Sequence, residues 1–341
     1  MRNKIKLLSA AVATACSLGF AGQAAAQVYG LSSLSFQDLN ISITPLAFGS
    51  VAVTSFDFTL TNTATLNGNI AATTATCGGT PGPGNNTCGT SPVLSPAPAN
   101  APGGTVTRTN DTIGGGGTLY VLGPGANQYA TADSVIVTAE LVNVGSPTAS
   151  HQIAEAELQG NGTASASSAI QSQTGVVINF VAGGTFNFDL DFLADIDMRV
   201  LVNALGAGSA QADSNVSISL TRLEGGAVRW APEGTLGNDC TVSGFGLFAV
   251  TCAEAADSED LNLNIGLTSN GNLEHSPGPN AAGFNAFGID ARLLPGGTYT
   301  LSLNSNVSNR LRQVPEPASL ALLGAGLAAL GFASRRKRKQ A

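Results

Sequence analysis

The residues with the clearest chemical potential are four aspartates on one side of an alternating segment. From 186 to 202 every even position is apolar, from Phe186 and Phe188 through Phe192 and Met198 to Val202. Asp189, Asp191, Asp195 and Asp197 fall at odd positions of the same segment. Alternation of that length describes one long strand, bent near Leu193, with one face in a core and the other in water. Same-face carboxylates in an acidic chain can share a hard cation, so calcium is one reading of the four. A solvated sheet face is the plainer reading. The calcium loop of helix-loop-helix proteins does not fit, because its glycine is missing and its twelfth position would be Val200.

Other reactive residues are sparse. The two histidines, His151 and His275, have no partner at metal-ligand spacing and lie in segments that read as loops. Gly-x-Ser-x-Gly is absent from the body, which removes the usual hydrolase elbow. Paired carboxylates for glycoside cleavage are positioned by fold and leave no mark in sequence. One tryptophan, Trp230, and four tyrosines make a poor sugar-stacking platform. The expectation is a protein without catalytic residues. Four of the five cysteines form local pairs, Cys77 with Cys88 and Cys240 with Cys252. Four cysteines allow three pairings, and bridging within each local pair closes short loops at hairpin tips. Zinc is the alternative, but there is no Cys-x-x-Cys and no nearby histidine. Disulfides are therefore expected, and no cofactor apart from the calcium reading.

Composition sets the elements that must carry these residues. With 42 glycines, 15 prolines, 6% aromatic and 11% charged residues, the chain reads as all-β and turn-rich. An antiparallel β-sandwich of jelly-roll type is expected over 27–313. Short strands fall at 39–43 and 56–60, and a final one at 298–303 follows the turn Pro295-Gly296-Gly297. The stretch 77–117, rich in Gly, Pro, Asn and Ser, reads as a long loop or a linker, leaving one domain or two open. Its four glycines, 114–117, lack the Gly-Lys-Ser/Thr of a phosphate loop. Residues 151–173 allow either a short helix or a polar strand pair. The triplet Ala-Asp-Ser recurs at 132–134, 212–214 and 256–258 and reads as a turn that starts a strand.

The two ends of the chain are built differently. Arg2, Lys4 and Lys6 precede a short apolar run, and Ala24, Ala25 and Ala26 supply a signal-peptidase site, placing the mature start at Gln27. Lipoprotein processing at Cys16 competes, but the leucine three positions earlier is missing. At the other end come Pro315, Glu316 and Pro317, then an uncharged run over 318–334 of 17 residues, then Arg335, Arg336, Lys337, Arg338 and Lys339. As a helix that run reaches roughly 25 Å, the short end of a membrane span, and the basic cluster holds its end in the cytoplasm. Eight of the 15 basic residues belong to the two ends and only one of the 22 acids does, so the body carries seven bases and 21 acids. Such a surface repels nucleic acid and anionic lipid and favours cations; it fits either cation-bridged matrix contact or simple solubility.

The order Pro-Glu-Pro, short span, terminal basic cluster resembles the PEP-CTERM sorting signal of Gram-negative bacteria that make extracellular polysaccharide. The likeness covers 315–341. It implies recognition at Pro315, Glu316 and Pro317 by exosortase, a membrane protease-transferase that cuts at or near the triplet, with 335–339 as the stop-transfer cluster. It also implies a membrane-anchored intermediate followed by delivery to the cell surface or matrix. The Thr-Tyr-Thr strand shortly before the triplet looks like the terminal strand of many such passengers. A plain C-terminal anchor is the alternative. The implied partners are signal peptidase, exosortase and exopolysaccharide or other matrix components. The expected role is structural or adhesive; a carbohydrate-active or ligand-binding protein is the rival. Thr59, Thr61, Thr63 and Thr65 form one threonine row of the kind ice-binding proteins multiply, some of which carry this type of tail. A single row is also what ordinary exposed β-formers give.

Overall fold

The computed structural model describes residues 27–46, 48–79, 93–96, 123, 125, 128–137, 148–180, 184–203, 207–237, 239–275 and 284–314. The expected export signal, the triplet 315–317, the expected span 318–334 and the basic cluster 335–339 lie outside these residues, as do residue 88 and the Cys77 side chain. Among the described residues every regular element is a strand, and no helix is long and apolar enough to cross a membrane.

The strands form two antiparallel sheets of eight strands each. The first runs β12 (Thr251–Asp257), β15 (Asn285–Pro295), β8 (Thr185–Asn203), β1 (Gln27–Pro45), β6 (Thr148–Leu158), β5 (Tyr129–Val137), β4 (Val93–Pro96). The second runs β11 (Cys240–Ser243), β10 (Ala227–Trp230), β9 (Gly208–Arg222), β16 (Gly297–Gln313), β7 (Gly162–Phe180), β2 (Gly49–Leu66), β3 (Asn69–Gly79). Two short strands sit off these paths, β14 (Gly271–His275) on β8 and β13 (Asn264–Leu267) on β9. Strands from before and after 80–92 share both sheets and one apolar core.

The period-2 pattern explains which side of each strand is inside. On β8 the even row from Phe186 to Val202 is buried throughout. On β1 the inward parity changes along the strand, from Val28, Leu34 and Phe36 to Leu39, Ile41 and Ile43. The register shifts between Gln37 and Asn40, and Asp38 takes φ 53° there. An extra residue in one strand rotates all later side chains to the opposite face. The segment 151–173 is a strand pair and not a helix. Four of its five alanines fall at even positions, Ala154, Ala156, Ala164 and Ala166, and all four are buried, whereas Ala169 at an odd position faces outward. The Ala-Asp-Ser triplets do not start strands: 132–134 and 212–214 lie inside β5 and β9, and Ala256 and Asp257 end β12. Alternation places Ala132, Ser134, Ala212 and Ser214 inward, which fixes their neighbours by strand period and not by turn chemistry.

The layers are held together differently along their length. At one place large rings fill the gap. Phe192 stacks on Phe287 at 5.1 Å, meets Phe36 edge-on at 5.2 Å and reaches Trp230 of the second sheet at 5.7 Å. Farther along β1 the layers approach closely: a Cβ on Gly30 would lie 2.9 Å from Leu311 Cδ2. There short polar side chains cross between sheets. Ser32 donates to the Asp213 carbonyl at 2.8 Å, and Asn309 donates to the Gly30 carbonyl at 3.2 Å. Phe192→Ala is expected to cost about 3–5 kcal/mol by cavity formation, and Asn309→Ala about 1–3 kcal/mol through unsatisfied backbone groups. Denaturant titration of the exported protein measures both; equal and negligible losses would contradict this description of the seam.

Candidate functional site

The aspartate face of β8 is not uniformly solvated. Asp191 is exposed and Asp189 half-buried, but Asp195 and Asp197 are only 9% and 3% exposed. β8 is an interior strand, and the outer face of its sheet carries a second layer of contacts. Across β1, Ser35 faces Asp195 and Ser33 faces Asp197. Beyond them Tyr29, Leu31 and Ile153 form a small apolar cluster. Glu155 and Glu157 beside it are buried and accept the backbone N–H groups of Gly123 and Gly125 at 2.7 and 2.9 Å. The Tyr29 hydroxyl donates to Glu155 at 2.8 Å, and burial with that carboxylate pushes the phenol far above its usual range. Alternation in sequence marks a polar face but carries no information about what lies on top of it.

The four aspartates do not converge. From Asp189 to Asp197 a strand advances roughly 26 Å, whereas the ligands of one calcium lie within about 5 Å of each other. Arg292 instead bridges Asp189 and Asp290, at 3.0 Å to each. Partial burial, followed by the charge of Asp290, raises the Asp191 carboxyl above the ordinary aspartate range. Among the described residues, the acidic side chains that gather within reach of one ion are Asp239, Glu254 and Asp257.

Neither histidine is a loop residue. His151 lies in β6, 6% exposed, with Nδ1 2.9 Å from the Ser35 hydroxyl. His275 lies in β14, with Nε2 2.9 Å from Glu259. Cys240 and Cys252 form a disulfide, as expected from their spacing, with Cα atoms 5.9 Å apart. The bond does not close a hairpin tip. β11 and β12 are edge strands of different sheets, so the disulfide staples the two layers along one side.

The threonine row has neighbours that the sequence does not reveal. Thr61 faces Thr74 on β3 and Ala169 on β7; Ala169 faces Asn306 on β16, and Asn306 faces Asn215 on β9. The next ranks along the strands are Ala72–Thr63–Ser167–Ser308–Asp213 and Thr76–Thr59–Gln171–Asn304–Ser217. The outward side chains in these ranks are half-buried or exposed. Apart from Ala72, Ala169 and Asp213, the ranks form a grid of hydroxyl and amide groups across five strands, about 4.8 Å apart between strands and roughly 6.7 Å along them.

Residues 313–338 match the PEP-CTERM protein-sorting motif. No curated protein and no solved structure matches the chain. The motif implies exosortase-dependent processing and export toward the cell surface. Because the Asp191 pKa is raised in the folded state, its ionisation opposes folding above that pKa, and the penalty disappears below the unfolded value of about 3.9. Asp191→Asn is accordingly expected to melt higher than the parent at pH 7 and equally near pH 3. A lower melting temperature at pH 7 would show that the carboxylate stabilises the strand.

Proposed function

We propose that this protein is a non-catalytic surface component. On this reading it is sorted through its C-terminal motif and contacts the extracellular polysaccharide matrix through the outer face of the second sheet. The observation that carries the reading is the grid of Thr, Ser, Asn and Gln side chains over β3, β2, β7, β16 and β9. Such groups donate and accept hydrogen bonds to hydroxylated chains without the desolvation cost of charges. Each contact is weak, so affinity comes from many contacts on a repeating ligand. The excess of acids elsewhere on the body favours cation bridges to the same matrix.

A second reading, ice binding, draws on the same grid, since regularly spaced hydroxyls are also what a water lattice meets. A carbohydrate-active enzyme is the rival of both readings. Thr61→Glu combined with Asn306→Glu places two charges in one rank of the grid. This variant is expected to lose about tenfold in retention on the host's purified matrix, with its melting temperature unchanged. Unaltered retention would remove the grid from the account. Thermal hysteresis in the parent with no matrix retention would favour ice, and release of reducing ends would favour an enzyme.

A further inference from the structure

We propose that Asp239, Glu254 and Asp257 form a binding site for a divalent cation, calcium by the chemistry of its donors. One carboxylate oxygen from each lies within 4.8 Å of the other two, which is the span across a single calcium ion with oxygens at about 2.4 Å. The three residues come from distant places in the topology. Asp239 precedes β11 at the edge of the second sheet, while Glu254 and Asp257 lie on β12 at the edge of the first. The Cys240–Cys252 disulfide joins the two edges beside them, so the site is held in place by a covalent bond.

Hydrogen bonds within the protein account for only part of this charge. Asp257 Oδ2 accepts the backbone N–H groups of Glu233, Gly234 and Thr235 at 3.2, 3.0 and 3.2 Å. Glu254 accepts from the Trp230 indole at 3.1 Å, the Asp239 N–H at 3.0 Å and the Gly237 N–H. Asp257 is nonetheless only 4% exposed, and its second oxygen, Oδ1, is fully buried with no hydrogen-bond donor. Asp239 Oδ2 is in the same condition. A buried carboxylate oxygen without a donor is costly, and here two of them belong to a cluster that a hard cation would complete. Arg229 shares a surface depression with Asp239 and Thr241 but makes no ion pair with any of the three acids. With three protein carboxylates, water would fill the remaining positions. Affinity in the range of extracellular calcium modules, Kd about 10⁻⁴–10⁻³ M, is expected.

Trp230, the only tryptophan in the chain, touches the ligand Glu254 and supplies a reporter. Terbium, a calcium substitute, is added to the exported full-length mature protein while Trp230 is excited. Sensitised emission is expected to saturate and to be displaced by millimolar calcium. Asp239→Asn removes a ligand whose side chain makes no hydrogen bond among the described residues, so the fold is expected to be retained and terbium affinity to fall at least tenfold. Asp257→Asn should weaken binding further but also disturbs the loop at 233–235, so melting curves accompany it. Asp191→Asn, on the other sheet face, is expected to leave the emission unchanged. No sensitised emission, or titrations identical for the parent and Asp239→Asn, would overturn the site.

Discussion

The Asn309 side chain donates to the Gly30 carbonyl across the two sheets and accepts the Ala166 N–H in its own. That contact exists only because the layers approach to the limit that Gly30 permits. Around it the core is made of alanines and of short polar groups reaching the opposite backbone. Gln152 reaches the Ser168 and Ser305 carbonyls, and Ser168 reaches the Asp133 carbonyl. Where the gap widens, Phe192, Phe287 and Trp230 fill it. Hydrogen bonds are directional, so the polar part of the seam fixes the relative register of the sheets. The aromatic part supplies most of the buried area.

Ladder pairing within the second sheet aligns β3, β2, β7, β16 and β9 so that outward residues separated by more than a hundred positions in sequence fall into straight ranks. The packing of the two sheets brings their edges β11 and β12 close enough for the disulfide, and with it Asp239 onto Glu254 and Asp257. The first sheet differs from the second in kind. Its outer face holds a buried tyrosine–glutamate cluster, while the three ranks described on the second are half-buried or exposed and carry one charged side chain, Asp213. The contacts proposed for the body accordingly lie on the second sheet and at the stapled edge.

How much of this could be read from residues alone follows from range. The inward row of β8 was legible because period 2 is local, and the pairing of Cys240 with Cys252 because twelve residues separate them. The motif at the C-terminus was legible because type, order and position lie in one short run. Burial of Asp195 and Asp197 was not, since it depends on β1, β6 and what covers them. The grid was invisible for the same reason: Thr61 announces itself, but Asn306 becomes its rank-mate only through β7. Asp239 belongs to no local pattern, although an acid within two residues of each cysteine of the pair, at 239 and 254, is a usable hint.

The tail carries the sorting motif, and the contact proposed for the body depends on where that motif delivers it. Intact mass of the mature protein, fractionated from its native host with and without Pro315, Glu316 and Pro317 replaced by alanine, tests their connection most directly. A product ending near Val314 in the outer fraction, lost in the alanine variant, is the result predicted. A product that retains 318–341 in the inner membrane in both cases would make the tail a simple anchor and contradict the account.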